Sequence, residues 1–496
     1  MNKLLSRFIL SFRIKARNII LILYFLVSFL GAEEVSLTLS ECVRMALDKN
    51  IDLAFHRLNP EISKANLNES QGDYDLKLIT NGQYGESQVP SFSDSISQSR
   101  STQFQSELSQ KIALGTTFGL SNNYLNSTSN VNDFDRLYSS FIGVSVIQPL
   151  LKDFGMETNM VLINTSRRSL EISITAYQGQ IDRIVSEVAT TYSDLVFARQ
   201  DFKAKEKSLS LATRLLEDNQ KRVEIGVMTS LDISRAHAEV ATRQQALSVA
   251  TRQIQDQQNK LLLLITSEIF PWFGKTIIPS HTDPIELPLP PLEKAIQTAF
   301  VNRPDYRQIN QELEKNHIQI KYLENQKLPS FDLTGSYGYS GQDEELQKSY
   351  SNSLEFEKKS WQFGFRFTYL FQNRVADGKL TEAKLKKQQS VILLKKREQE
   401  IYAEIDNSLG QVSVNREKVL SAREARRFTE ESLHVEELKL KEGISTTFNL
   451  LQIQRDLANA ESSENLAISD LDKSLIELNR VQGIALLSGV EKMMIK

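Results

Sequence analysis

Groups that could carry chemistry are few and scattered. The five histidines, His56, His237, His281, His317 and His434, share no metal-ligand spacing. Cys42 is the only cysteine, which excludes an internal disulfide and a thiolate metal site. Asp332 and Asp343 lie in or beside alternating segments, where they read as lumen or loop groups rather than an acid/base pair. No Gly-rich phosphate loop or nucleophile elbow is present. The seven methionines form no cluster suited to a soft metal. No enzyme activity and no cofactor are expected. With 59 basic and 62 acidic residues, a net charge of −3 makes no electrostatic case for nucleic acid. The basic run from Lys384 has apolar residues at helical spacing and reads as a solvated helix face.

What does recur is a pattern of turn and cap. "VEIGVMTSLDISRAHAE" from Val223 and "LKEGISTTFNLLQIQRD" from Leu440 each break a long helical pattern at a glycine, then resume it after hydroxyl residues. Gly226 and Gly443 can take the left-handed conformation that ends a helix. Thr229 and Ser230, and Ser445, Thr446 and Thr447, can cap the helix that follows.

These turns belong to a duplicated chain. "LTLSECVRMALDKNIDL" from Leu37 aligns with "PPLEKAIQTAFVNRPDY" from Pro290 at a shift of 253 residues, pairing Leu39 with Leu292, Ala46 with Ala299 and Asp52 with Asp305. The same shift carries on to Gly82 with Gly335 and Tyr84 with Tyr337; later it becomes 217, pairing Gly226 with Gly443. The predicted order is a signal peptide over 1–32, a first repeat over 33–268, a Pro-rich connector over 269–291, a second repeat over 292–484 and a tail over 485–496. The signal rests on a basic start (Lys3, Arg7, Arg13, Lys15, Arg17) before a short apolar core from Ile19. That core has about a dozen residues, where a spanning helix needs about 20.

Each repeat reads as helix, strands, long helix, glycine, helix. The first helices are expected over 40–71 and 292–326, the long helices over 156–225 and 374–442, and the last over 230–266 and 447–483. Ile181, Ile184, Val188, Tyr192 and Leu195, and Ile401, Ile405, Leu409 and Val412, repeat every three or four residues, as a packed helical seam requires. In each repeat the two shorter helices together match the long one in length, which fits a long antiparallel hairpin. Strands are expected over about 73–148 and 330–371. "FDLTGSYGYS" and "WQFGFRFTYLF" put Phe331, Leu333, Tyr337, Trp361, Phe363, Phe365 and Phe367 on one face, against Gln362, Gly364, Arg366 and Thr368 on the other. Period two fits a half-buried soluble sheet or a membrane barrel. About four strands cannot close a barrel alone, whereas three chains could close twelve. The alternating stretch "FQSELSQKIALGTTFGLSNNYL" from Phe104 either extends the first hairpin outward or adds two strands.

The motifs "LTLSECVRMALDKNIDL", "RPDYRQINQELE…LPSFDLTGSYGYSG", "VSVIQPLLKDFG" and the two glycine turns, in this order, resemble the TolC-like outer-membrane efflux family of trimeric channel-tunnels. The resemblance covers nearly the whole chain after the signal. It implies a mainly α fold with a membrane β-barrel: long antiparallel α-helical hairpins forming a periplasmic tunnel, and about four barrel strands per protomer. It implies an outer-membrane protein extending into the periplasm, a passive conduit of a tripartite efflux or type I secretion system. Its partners would be two further copies in a homotrimer, outer-membrane lipid, a periplasmic adaptor and an inner-membrane ABC or proton-driven pump. The alternative is a soluble periplasmic helical scaffold. By the resemblance, Ile225, Gly226, Val227 and Met228, with Glu442, Gly443, Ile444 and Ser445, are the adaptor-docking tips, and Phe331, Leu333, Tyr337, Trp361, Phe363, Phe365 and Phe367 face lipid.

The periplasmic gate departs from the family. Well-known members carry acids six and nine positions after the second glycine, where this chain has Asn449 and Gln452. Asp232 keeps the acid of the first repeat, and is expected to pair with Lys441 or Arg222. An arginine that helps close the family's tip is replaced by Ser445. Like charges around a narrow pore build a strong field that neutral amides do not. Single-channel recording should therefore find weak cation selectivity and no block by trivalent cations at the tip; strong selectivity would refute the neutral ring.

Overall fold

The computed structural model describes residues 33–90, 96–129, 136–226, 229–280 and 289–484. The expected signal and tail lie outside these residues, as do Val227 and Met228. The described chain forms two compact units. One draws on the chain up to Leu58, on Ala176–Arg307 and from Arg397 onward; the other is Asn59–Thr175 with Gln308–Lys396. Each unit takes corresponding parts of both repeats, so compactness does not follow the duplication.

The first unit is mostly helical. Strand β1 (Glu33–Leu37) leads into α1 (Leu39–Lys49), which opens on a capping box between Thr38 and Glu41. Helix α2 (Ile51–Gln71) follows at once. The single helix expected over 40–71 is thus two, because Asn50 adopts extended backbone and its Oδ1 accepts from Leu53 N at 2.9 Å to cap the next helix.

The second repeat breaks at the matching place, Arg303. There Pro304 disfavours helical backbone at the residue before it. Both break residues tie back to the last helix of their own repeat. Asn50 Nδ2 donates to Leu264 O at 2.9 Å, and Arg303 Nη1 donates to Val481 O at 3.1 Å. The two pairs match at the sequence shifts of 253 and 217.

After four strands come a short helix α3 (Met156–Asn159), the long helix α4 (Val161–Glu224) and α5 (Ser230–Ile265). The expected continuous helix over 156–225 is therefore interrupted at Met160. The connector is not plain linker either. Its strand β6 (Lys275–Pro279) pairs in parallel with β1. Beyond it run α6 (Leu292–Asn302) and α7 (Pro304–Asn325). Two strands later come α9 (Arg374–Lys441) and α10 (Thr447–Gln482). A helix α8 (Leu346–Leu354) lies between those two strands.

The duplication reappears as two cores of one design. Cys42, Ala46, Ile184, Val188, Leu195 and Leu261 are buried in one. Their counterparts Ala295, Ala299, Ile401, Ile405, Val412 and Leu478 are buried in the other. The three-and-four seam read from the sequence supplies both.

The second unit carries one sheet of six strands, not about four. They are β2 (Lys77–Pro90), β3 (Ile96–Lys111), β4 (Thr117–Ser129), β5 (Leu137–Pro149), β7 (Ser330–Asp343) and β8 (Lys359–Thr368). Their order is β2-β3-β4-β5-β7-β8, antiparallel throughout. The stretch from Phe104 supplies the end of β3 and most of β4. Its turn is held beside the end of β5: Gly155 N donates to Leu114 O at 3.2 Å, and Gly115, at φ +94°, has no room for a side chain beneath Asp153 O. The strands end at Pro149 and Thr368, and in both repeats the chain then turns through a left-handed residue, Asp153 (φ +63°) or Asn373 (φ +26°), the second exit lacking the first repeat's proline.

A charged knot closes the second repeat's helix break. Arg303, 5% exposed, reaches Asp305 at 2.8 Å and Glu404 at 2.5 Å. Arg397 also binds Asp305, Glu400 and Glu404. Burial alone would raise the Asp305 carboxyl, but the hydrogen bonds and charges of Arg303 and Arg397 outweigh it and hold it at about 2. A depressed acid stabilises the fold above its unfolded value near pH 4 and loses that contribution as pH falls through about 2. Asp305→Asn should therefore lower the melting temperature above pH 4, by about 1 kcal/mol of stability once solvent screening of its part-exposed carboxylate is allowed for. The deficit against the parent should shrink as the pH of the melts approaches 2.

Candidate functional site

Two places in the chain have the geometry of a working surface: one face of the sheet and the two glycine turns. The face follows from register. On one side, Phe331 pairs with Phe367, Leu333 with Phe365, Gly335 with Phe363 and Tyr337 with Trp361. The same side continues through Val144 and Val146 to Leu120 and Phe118, then to Leu108 and Leu78. All seven aromatic and aliphatic residues singled out in the sequence thus share one face. Trp361, Phe363, Phe365 and Phe367 are 57% or more exposed, with no core over them. That is the reverse of a soluble half-buried sheet, whose apolar side would be covered. The opposite side is mostly polar or small: Asp332 faces Arg366, Ser336 faces Gln362, Ser121 faces Gly143 and Gln105 faces Asn123, with Ile79, Leu125, Phe141 and Ile147 as its apolar exceptions.

The tips are built alike. Gly226 and Gly443 have φ of +78° and +77°. Gly443 N donates to Leu440 O and Ile444 N to Lys439 O, the paired bonds that close a helix on a left-handed residue. Gly226 N likewise donates to Val223 O at 2.9 Å. Beside the glycines, Ile225 and Ile444 stand 74% and 76% exposed. Glu442 is exposed and Ser445 half-buried.

The expected gate residues occupy the start of the returning helices, but not all with the expected partners. Asp232 pairs with neither Lys441 nor Arg222 among the described residues. Its Oδ2 accepts from Thr229 N at 3.2 Å and Thr229 Oγ1 at 2.7 Å, closing a capping box on α5. A carboxylate at a helix N-terminus is stabilised by the local amides and dipole, which removes the need for a lysine. Asn449 is the matching residue of the second repeat. Its backbone N donates to Thr446 Oγ1 and its side-chain amide to Ser445 Oγ, both at 3.4 Å. Asn449, Gln452 and Lys441 are exposed.

Sequence reasoning missed the acid that the tip does bury. Glu436, 8% exposed, accepts from Ser445 Oγ and lies 3.7 Å from Lys439. Its spacing to Leu433 and Leu440, both buried, was the available signal. Also missed were the links between the returning helices of the two repeats. The Arg235 guanidinium lies 5.9 Å from the Phe448 ring centroid, and Arg455 lies 3.6 Å from Glu239. Glu239 also holds the buried Arg243 at 3.0 Å. Higher up, Lys473 of α10 reaches Asp194 of α4 at 2.9 Å, and Lys205 reaches Ser462 at 3.0 Å. Such pairs join elements of different repeats, so no local pattern announces them. Among the described residues, no group of three or more His, Cys, Asp or Glu could hold a metal ion. No described helix is long and apolar enough to cross a membrane.

The comparisons agree with this geometry. Residues 36–267 and 295–483 match the family described as outer membrane efflux protein. The chain belongs to that family. Similar solved structures include the CmeC outer membrane channel of Campylobacter jejuni, at 15% identity over 92% of this chain and 88% of that one, with a TM-score of 0.68. The outer membrane protein VceC of Vibrio cholerae matches at 16% identity over 90% of this chain and 97% of that one, TM-score 0.67. The open state of the MtrE outer membrane channel of Neisseria gonorrhoeae matches at 19% identity over 90% and 89%, TM-score 0.61. No curated protein matches. This efflux protein is therefore a transport protein of the outer membrane reaching into the periplasm, with the TolC-like fold.

Removing Glu239 should cost far more than removing its exposed partner. Glu239→Ala leaves the buried Arg243 guanidinium without its carboxylate, at about 2 kcal/mol. Arg455→Ala removes a solvated pair, at under about 1 kcal/mol. Denaturation of the two purified variants checks the order.

Proposed function

We propose that this efflux protein works as a homotrimeric passive conduit, opened when a periplasmic adaptor and an inner-membrane ABC or proton-driven pump dock with it. The observation that carries the reading is the sorted sheet: an apolar face, covered only where α8 packs on its far end at Ser140 and Gly341, opposite a mainly polar one, with both edges open. In hydrocarbon every backbone amide must find a protein partner, so the sheet can enter a bilayer only as part of a closed wall. Phe331, Leu333, Tyr337, Trp361, Phe363, Phe365 and Phe367 then meet lipid, and the polar face lines the lumen. As a passive conduit the chain supplies no energy of its own. What moves through it is chosen by the pump and adaptor.

The glycine turns are the docking tips of this proposal: Ile225 and Ile444 are exposed apolar anchors, and Gly226, Val227, Met228, Glu442, Gly443 and Ser445 belong to the same two segments of the sequence. Neutral Asn449 and Gln452 surround the entrance, beside Lys441 and the capped Asp232.

Fractionation tests the conduit: the protein should be found in the outer membrane as a heat-modifiable trimer, and recovery as a soluble monomer would refute it. Docking is tested separately. Ile444→Asp should leave the trimer and its insertion intact but lower export by about tenfold or more, an effect in the range of a lost interface anchor. Unchanged export by this variant, and by Ile225→Asp with it, would remove the turns from the docking surface.

A further inference from the structure

The edges of the sheet point to a wider barrel than four strands per chain would build. We infer that β8 of each copy pairs with β2 of the next, so that three copies of the six-stranded sheet close a wall of eighteen strands. The inference rests on the conduit reading and specifies its pore.

Three observations support it. First, β3 and β4 are wall strands, not an outward extension. Their turn returns to the end of the sheet where β2 begins and β5 ends, close to Gly155 and Asp153. Gln110, one residue before the end of β3, donates to Tyr74 O at 3.3 Å, just ahead of β2. A hairpin projecting beyond the membrane would have its turn at the opposite end. Second, the large apolar side chains of the added strands fall mainly on the aromatic side, with Thr80, Ser106 and Asn122 among them and Ile79 and Leu125 opposite. Leu78 and Tyr84 of β2, Phe104 and Leu108 of β3, and Phe118 and Leu120 of β4 share the face of the aromatic row on β8, while Asn81, Gln83, Gln103, Gln105, Ser121 and Asn123 share the other. A hairpin in water has no reason to keep that division. Third, the edges are open and matched. Every residue of β8 but one is exposed, and the described side chains of β2 are exposed with one exception. Because six is even and every pairing is antiparallel, β2 and β8 run in opposite directions. A β8 that meets a neighbour's β2 therefore continues the antiparallel ladder without a parallel joint. The contact is head-to-tail, the kind that closes into a ring.

Barrel diameter grows about linearly with strand number, so this wall is about one and a half times as wide as a twelve-stranded one. Barrels of about 16–18 strands keep an open aqueous channel. The lumen face is dominated by Ser, Asn, Gln and Gly, and its one directly opposed charged pair, Asp332 with Arg366, is self-neutralising. The geometry suits bulky polar cargo rather than small apolar compounds alone.

Cysteine pairing across the edges tests this on the full chain. Cys42 is fully buried, and burial pushes its thiol up to about 12, so it does not compete for oxidation. Gln362→Cys on β8 is combined in turn with Asn81→Cys, Gln83→Cys, Gly85→Cys or Ser87→Cys on β2, to sample the register. At least one combination should give covalent trimers on a non-reducing gel, and electron cryomicroscopy of the membrane-extracted protein should count eighteen strands. Linkage of Gln362→Cys to Ser121→Cys or Asn123→Cys on β4, with twelve strands in the wall, would overturn the inference. So would the absence of linkage in every combination. A membrane-embedded trimer of twelve strands leaves the conduit standing; a soluble monomer removes both.

Discussion

A backbone amide placed in hydrocarbon has no water to turn to, and the organisation of this protein answers that constraint. Among the described residues, the six-stranded sheet satisfies its four inner strands internally and leaves the outer ladders of β2 and β8 unpaired. An apolar face with two open edges is a hazard in water and an incomplete wall in a membrane. In the proposed trimer other copies supply the missing partners, and assembly is then a condition of function rather than an addition to it.

The helical unit solves a different problem, that of holding long helices in register. It does so twice with one plan. The paired cores use matching positions, and the helix breaks at Asn50 and Arg303 anchor to matching carbonyls of Leu264 and Val481. Equivalence of place has not meant equivalence of chemistry. Asn50 meets the need with a neutral amide, whereas Arg303 brings a buried charge and with it Asp305, Glu404 and Arg397 to neutralise it. At the tips the exchange runs the other way. Asp232 spends its carboxylate on a helix cap, and its counterpart Asn449 carries no charge at all. Duplicated backbones impose the same unsatisfied groups; the side chains are free to answer them differently.

Much of this was legible from the sequence alone. The repeat, the seams from Ile181 and Ile401, the two glycine turns and the shared face of Phe331 through Phe367 all follow from spacing, because periodicity and φ preference are local properties. The helix breaks, α8 and the β6 strand were not anticipated. Asn50 gives no break signal until Leu264 is beside it, and β6 is a strand because β1 pairs with it from far away in the chain. Asp232 was matched to the wrong partner for the same reason: the sequence shows which charges are available, and geometry selects the nearest donors.

The sequence by itself determined the periods, the duplication and the class of transport protein to which the chain belongs. Only the tertiary structure decided that the stretch from Phe104 returns to the foot of β5 as the end of one strand and most of the next, that Glu436 is the buried acid at the tip, and that Glu239 ties one repeat to the other. Spacing along a chain specifies which side of an element a residue occupies. Which other element lies opposite is set by how many apolar faces must be covered at once and how many backbone edges must be paired, and those are properties of the whole fold.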